Sequence, residues 1–308
     1  MTVKPRGRFA PSPSGRLHLG NMLSSLLAWL DVRSLGGEML FRLEDLDPER
    51  SWDEYARLMA EDLRWLGLDW DLGWPEDPAC RQGVRTERYE AAFERLQSLG
   101  LVYPCWCSRA ERLAASAPHP GEERPSGCKC RHYTEAERAA QRRAPAAKVI
   151  VPDAEIAIDD GHYGPYCENL ARGSGDFIIR RSDGVFAYQL AVSVDDMEMG
   201  VTRVVRARDL LPSAPRQKWL IEILGGKAPD YCHCPLLTAP GGRKLSKREG
   251  DLNMEELRSR FTPEELTGWL AHMCGLIDRP EPVSPAELVP HFSWDRVSLE
   301  DVILPDGF

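Results

Sequence analysis

The stretch from Arg8 to Asn21, Arg-Phe-Ala-Pro-Ser-Pro-Ser-Gly-Arg-Leu-His-Leu-Gly-Asn, limits the fold more than any other in the chain. A short strand runs into a turn built from proline, serine and glycine. A long apolar helical pattern follows from Met22 to Val32. Strand, tight turn and helix N-terminus form the opening unit of a parallel α/β sheet. The same unit suits an anion, because the first N–H groups of a helix lack partners and its dipole favours negative charge there. Gly20 omits a side chain where a flat or charged group would approach the backbone. His18 and Asn21 both carry N–H groups able to donate to phosphate oxygens. Taken alone, the stretch also fits an ordinary capped surface helix.

The rest of the chain continues the alternation. Gly7–Ala10 reads as the first strand, Asn21–Ser34 as a helix stopped at Gly36-Gly37, and Glu38–Leu43 as a second strand. Ser51-Trp52-Asp53-Glu54 has the form of a capping box, with serine at the N-cap and glutamate at N3. Arg88–Leu99 is a further amphipathic helix. From Leu101 to about Lys148 the pattern breaks into a segment rich in Cys, Pro, Arg and Ala, which looks inserted. Asp176–Arg181 and Val185–Tyr188 read as a hairpin around Ser182-Asp183-Gly184. Val201–Arg206 returns as a strand and Arg216–Leu224 as a helix. After Asp251 the chain reads as helical, with capping boxes at Thr262-Pro263-Glu264-Glu265 and Ser284-Pro285-Ala286-Glu287. The expected organisation is α/β: a Rossmann-type parallel-sheet domain in two halves (1–100 and 186–250), an inserted subdomain (101–185) and a helical subdomain (251–308).

Composition narrows the setting. With 308 residues the chain can bury a sizeable core in two or three lobes. No run of about 18 apolar residues is present, which argues against a membrane span. Met1–Arg8 has no apolar stretch of the kind a secretory leader needs, so the cytoplasm is the expected location. Nine cysteines in a reducing compartment favour metal binding or packing over disulfides. The net charge of −9 does not advertise a nucleic-acid binder. Residues 105–148 nevertheless carry nine Lys/Arg against five Asp/Glu, whereas 251–308 carry four against twelve. Charge would favour RNA on the middle segment and oppose it on the last.

Two further patterns carry chemistry. Lys244-Leu245-Ser246-Lys247-Arg248 follows Gly241-Gly242, so two lysines bracket a serine on a glycine hinge, suited to closing on phosphates. Such a run is also compatible with a solvated charged turn. Cys105-Trp106-Cys107 and Cys128-Lys129-Cys130 can supply four thiolates to zinc. The spacing is C-x-C rather than C-x-x-C, and lone cysteines are also common small hydrophobes. Cys232-His233-Cys234 is a rival half-site, since a strand would put both thiols on one face.

His18-Leu19-Gly20-Asn21 and Lys244-Leu245-Ser246-Lys247-Arg248, in this order and at this separation, resemble the two signatures of class I aminoacyl-tRNA synthetases. Arg8–Gly15 and Phe41-Arg42-Leu43-Glu44-Asp45-Leu46-Asp47 resemble the glutamyl/glutaminyl subgroup over roughly the first 250 residues. The resemblance implies ATP with Mg²⁺, activation of L-glutamate to glutamyl-adenylate, and transfer to an RNA hydroxyl. It assigns His18, Gly20, Asn21, Lys244, Ser246 and Lys247 to ATP, with His18, Asn21, Lys244 and Lys247 as the catalytic set. It assigns Arg8, Ser12, Glu44, Tyr188 and Arg206 to glutamate. Arginine forks suit two carboxylates and Glu44 suits an ammonium group.

Length and the Cys-rich insert bring the chain nearest to glutamyl-Q tRNA(Asp) synthetases, paralogues without an anticodon-binding domain. That family implies a queuosine-bearing tRNA(Asp) as acceptor, a monomer, and one structural Zn²⁺ in the insert, held by three cysteines and a tyrosine. Cys105, Cys107 and Cys130 match the pattern. The tyrosine position is Ser126 here, which leaves the fourth ligand open between Cys128, the preferred candidate, and Ser126 or another group. The other readings are a minimal enzyme charging the 3′ end of tRNA(Glu) and a non-catalytic RNA-binding relative.

Overall fold

The structure is a computed structural model that describes residues 4–108, 128–239 and 252–305. Strand β1 (Arg6–Phe9) leads through the Pro-Ser-Gly turn into helix α1 (Leu19–Ser34) and returns as β2 (Glu38–Phe41), parallel to β1 with Arg8 opposite Leu40. After helix α2 (Asp53–Trp65), the short β3 (Leu72–Gly73) adds to β2, again parallel. Phe41, Trp70 and Trp74 pack as an aromatic cluster there, with Phe41–Trp70 centroids 4.8 Å apart. Helix α3 (Thr86–Ser98) closes this first half.

The following segment changes architecture. Strand β4 (Val102–Cys105) precedes the short helix α4 (Glu135–Ala139), β5 (Ala146–Val149), the hairpin of β6 (Glu155–Asp160) with β7 (Gly164–Asn169), and β8 (Phe177–Arg180). Strands β4, β5 and β8 form one antiparallel sheet, and β6 and β7 a separate antiparallel pair. Antiparallel ribbons joined by short turns are what a chain departing from a parallel sheet builds, since they need no crossover helix.

Helix α5 (Tyr188–Glu198) brings the chain back to the parallel layer. Strand β9 (Arg203–Ala207), helix α6 (Ala214–Ile223) and strand β10 (Asp230–Cys234) complete a second parallel unit, with Arg206 opposite His233. The two halves meet where Thr202 N–H donates to the Arg6 carbonyl at 2.9 Å. Helix α1 packs over both strand sets through Leu19, Met22, Leu23, Leu26, Leu27 and Leu30, all fully buried. Strand β11 (Leu237–Thr238), helices α7 (Met254–Arg260), α8 (Pro263–Met273) and α9 (Pro285–Leu288), and strand β12 (Val302–Ile303) follow. No helix among the described residues is long and apolar enough to cross a membrane.

Three local expectations need correction. Ser51 does not cap α2. Trp52 occupies the N-cap without a side-chain cap, because its N–H is drawn to the Pro13 carbonyl at 3.1 Å. The second arm of the 182–184 hairpin is short: Arg180 bridges Phe186, and Tyr188 already opens α5. The last segment is not wholly helical, since β12 pairs in parallel with β11. The capping boxes at Thr262 and Ser284 form as read.

Candidate active site

The sheet and the α1 turn enclose a cavity of about 410 Å³. Its lining includes Arg8, Ser12, Asn21, Glu44, Tyr188 and Arg206, so every residue carried over for glutamate faces one space. Arg8 lies on β1, Arg206 on β9, Glu44 just past β2 and Tyr188 at the start of α5. Ends of parallel strands are where α/β sheets place ligand groups.

The charges are arranged in layers. Arg42, fully buried behind the cavity, donates to Asp196 at 2.7 Å and to Glu44 at 3.1 Å, and approaches Asp195 at 3.8 Å. Burial acts to lower its pKa, but Asp196, Glu44 and Asp195 overcome that and hold it above the ordinary arginine value. Arg8 donates to the Val205 carbonyl at 3.1 Å and sits 3.6 Å from Asp196. Burial pulls its pKa down despite Asp196. Burial raises the pKa of Glu44 even against Arg42 and Arg8, so a further positive group would be welcome there. Arg206 donates to the His233 ring at 3.0 Å, to Gln217 Oε1 at 2.7 Å and to the Leu210 carbonyl at 3.2 Å. Two cations, Arg8 and Arg206, and two carboxylates, Glu44 and Asp209, line the space, so it offers partners to both carboxylate and ammonium groups.

At the α1 N-terminus, His18 Nδ1 accepts from Asn21 N–H at 3.3 Å, and Asn21 Oδ1 accepts from His18 N–H at 3.2 Å. This capping box uses the acceptor edge of each side chain. It places the imidazole proton on Nε2 and leaves the Asn21 amide N–H₂ as the donor of that residue. Leu19 N–H is taken by the Leu252 carbonyl at 3.2 Å. Backbone donors expected to be open are therefore partly satisfied by the protein, and an anion here would rely more on side-chain donors and the dipole. A Cβ on Gly20 would lie 3.1 Å from the His18 ring, so glycine keeps that ring in place. The Leu19–Leu252 bond also brings the chain that follows residue 251 back beside His18. Lys244, Ser246 and Lys247 lie outside the described residues.

Away from the cavity, the sulfurs of Cys105, Cys107, Cys128 and Cys130 all lie within 4.8 Å of one another. Cys105–Cys128 is 3.7 Å, Cys107–Cys130 3.8 Å and Cys107–Cys128 3.1 Å. A tetrahedral ion with zinc–sulfur bonds of about 2.3 Å sets sulfurs about 3.8 Å apart. The donor set therefore fits zinc, with Cys128 completing it; Ser126 lies outside the described residues. Burial pushes the Cys105 thiol up to about 11 and raises Cys107, whereas Cys128 is lowered, its burial outweighed by hydrogen bonds from Cys107, from the backbone at Cys130 and from Cys105. Metal binding would need all four deprotonated. The rival Cys232-His233-Cys234 does lie on a strand, but its thiols are buried in the main core and its imidazole is engaged by Asp160 and Arg206.

Sequence reading missed Arg42, Asp195, Asp196, Asp160 and Gln217 as parts of this arrangement. Arg42 stands two residues before Glu44 in the chain just past β2, a spacing the sequence already displays.

A parallel-sheet domain that opens on a strand–turn–helix unit and gathers charged groups at its strand ends has the architecture of a class I synthetase catalytic domain. The family described as tRNA synthetases class I (E and Q), catalytic domain, matches residues 4–271. The chain belongs to that family and, within it, groups with the glutamyl-Q tRNA(Asp) synthetases. The protein of that name from Symbiobacterium thermophilum is 47% identical over 313 residues, covering 97% of this chain and 95% of the relative. Its counterpart from Nitratidesulfovibrio vulgaris is 44% identical over 310 residues, with the same coverage. Among solved structures, a glutamate tRNA ligase from Elizabethkingia meningosepticum in complex with its amino acid superposes with a TM-score of 0.79 at 26% identity. It covers 98% of this chain and 67% of that one.

Proposed function

We propose that the protein is an ATP-dependent ligase that activates L-glutamate to glutamyl-adenylate without needing tRNA, then transfers the glutamyl group to the queuosine base in the anticodon of tRNA(Asp). One observation carries the first step: Arg8, Arg206 and Glu44 converge on one cavity with charges opposite to those of glutamate. The names of the curated relatives support the acceptor.

Arg8 and Arg206 hold the two carboxylates and Glu44 takes the ammonium group. Tyr188 and Ser12 complete the pocket wall. One carboxylate attacks the α-phosphorus of ATP, a carboxylate–phosphorus bond forms, and pyrophosphate leaves. His18 and Asn21 donate to the triphosphate at the start of α1, and Gly20 leaves room for the nucleotide. Lys247, with Lys244 and Ser246, meets charge as it moves onto the leaving pyrophosphate. Positioning and charge neutralisation do most of the work, as in other transfers at phosphorus. Mg²⁺ accompanies ATP.

Cys105, Cys107, Cys128 and Cys130 would hold a structural Zn²⁺ that ties the end of β4 to the turn at 128–130. On this reading, residues 1–100 with 186–250 form the catalytic domain, 101–185 the zinc-bearing and RNA-contacting insert, and 251–308 the helical subdomain. The protein acts as a cytoplasmic monomer.

The test is charging with labelled glutamate of tRNA(Asp) with and without queuosine, and of tRNA(Glu). Label on queuosine-bearing tRNA(Asp) alone is expected. Label on the 3′ adenosine of tRNA(Glu) would establish instead the glutamate tRNA ligase activity named for the structural neighbour. Lys247→Ala should lower glutamate-dependent ATP–pyrophosphate exchange by orders of magnitude with the fold intact. Exchange at the wild-type rate would remove Lys247 from the assignment.

A further inference from the structure

Arg206 is only 6% exposed, yet its three hydrogen-bond acceptors are an imidazole, an amide oxygen and a backbone carbonyl. A buried arginine is usually neutralised by a carboxylate in direct contact. Here the carboxylate is one residue removed. His233, fully buried on β10, receives Arg206 Nε–H on its Nε2, and its Nδ1 faces Asp160 Oδ2 at 2.6 Å.

The acceptor role of Nε2 requires the proton on Nδ1, and Asp160 is placed to demand that tautomer. Its other oxygen, Oδ1, accepts backbone N–H bonds from His162, Tyr163 and His233 at 3.1, 2.9 and 3.2 Å. Three backbone donors lock the carboxylate, so Oδ2 is presented to the imidazole alone.

We infer that Asp160 and His233 are positioning residues for the amino-acid substrate: Asp160 fixes the Nδ1–H tautomer of His233, whose Nε2 then orients Arg206 toward the cavity without neutralising it. This rests on the reading of the cavity as a glutamate pocket. A carboxylate in direct contact with Arg206 would compete with the substrate carboxylate; a neutral imidazole aims the fork and leaves its charge available.

The arrangement is sensitive to protonation. His233 is faced by Asp160 from β6, Arg206 from β9 and Arg8 from β1, with Tyr231 stacked beside it on its own strand, and its carbonyl contacts His162 Nδ1 at 2.9 Å. Burial, followed by the two arginines, keeps the imidazole neutral below its ordinary range, with Asp160 pulling the other way. A second proton would remove the lone pair that Arg206 uses.

The experiment measures glutamate-dependent ATP–pyrophosphate exchange, with KM for glutamate and for ATP determined separately. In Asp160→Asn the carbonyl oxygen can keep the backbone bonds, but the amide turns a donor toward Nδ1. The imidazole proton moves to Nε2 and faces Arg206 Nε–H. KM for glutamate should rise about 10- to 100-fold, with KM for ATP within about twofold of wild type. His233→Gln, which keeps a neutral acceptor, should fall well below His233→Phe in KM for glutamate and should lack the rise in KM on acidification expected of wild type. An unchanged glutamate KM in Asp160→Asn, or an equal rise for ATP, overturns the inference. If Asp160→Asn does not fold, equal glutamate KM values for His233→Gln and His233→Phe overturn it. Wild-type protein without glutamate-dependent exchange would overturn the pocket reading itself, and the inference with it.

Discussion

Replacing Arg42 by methionine tests the charge layering behind the cavity. Arg42 is fully buried and is the common partner of Asp196 and Glu44, at 2.7 and 3.1 Å. Asp195 would survive the change, because it keeps Arg85 at 2.7 Å, Gln82 at 2.8 Å and Tyr89 at 3.0 Å. Glu44 would lose its 3.1 Å bond to Arg42, and Asp196 would be left with Arg8 at the longer distance of 3.6 Å. Methionine fills much of the volume, so the loss is electrostatic rather than a cavity effect. Removing one partner of a buried ion pair costs about 3–5 kcal/mol. For a chain of this length, at about 2 cal/mol/K of unfolding entropy per residue, that is a fall in Tm of about 5–8 °C.

The pH dependence is the sharper readout. In the variant Glu44, whose pKa burial already raises, loses the Arg42 charge that opposes the rise, so the folded state binds more protons than the unfolded state. Stability then rises as pH falls through the folded pKa of Glu44. The gap between wild type and Arg42→Met should be widest near pH 8 and narrow toward about pH 5.5. Calorimetric melting of both proteins across that range checks it. A Tm loss under about 2 °C at pH 8, or a gap that widens on acidification, would refute the reasoning.

Other outcomes follow from the same geometry. Wild-type protein purified without chelator should carry zinc near one equivalent per chain by elemental analysis, and Cys128→Ser should lose most of it along with several degrees of Tm; no zinc in the wild type would count against the site. Gly268→Ala should destabilise by about 1–3 kcal/mol, as overpacking does, because a Cβ there would lie within 2.1 Å of the Glu281 carbonyl oxygen. That outweighs a helix-propensity gain of about 1 kcal/mol, and a rise in Tm would show that the 279–283 backbone yields freely. Burial and the arginines hold His233 below its ordinary pKa, so the folded state binds fewer protons than the unfolded one. Stability should therefore fall as pH drops below about 6.5 toward the folded value. His233→Gln should flatten that slope in a melting series.

Features specified over a few residues could be read from the chain. The strand–turn–helix unit at Arg8–Asn21 and the capping boxes at Thr262 and Ser284 depend on contacts a few residues apart. The resemblance to the glutamyl/glutaminyl subgroup led to Arg8, Ser12, Glu44, Tyr188 and Arg206, which the fold brings to one cavity. The misreadings share a cause. Ser51 has every local feature of an N-cap, yet the Trp52 N–H is drawn across space to Pro13. Val302 and Ile303 become a strand only because β11, more than 60 positions earlier, offers an edge.

The sequence alone determined the parallel α/β opening, the helix caps and the residue types able to bind phosphate and carboxylate, because these follow from backbone periodicity and side-chain chemistry at short range. Tertiary structure alone decided which charges are compensated. Arg42 meets Asp196 across 154 positions, and Asp160 reaches His233 across 73, which in turn holds Arg206 across 27. Whether a buried cation is spent on the protein or kept for a ligand depends on distances and burial, which separations of that size leave to the fold.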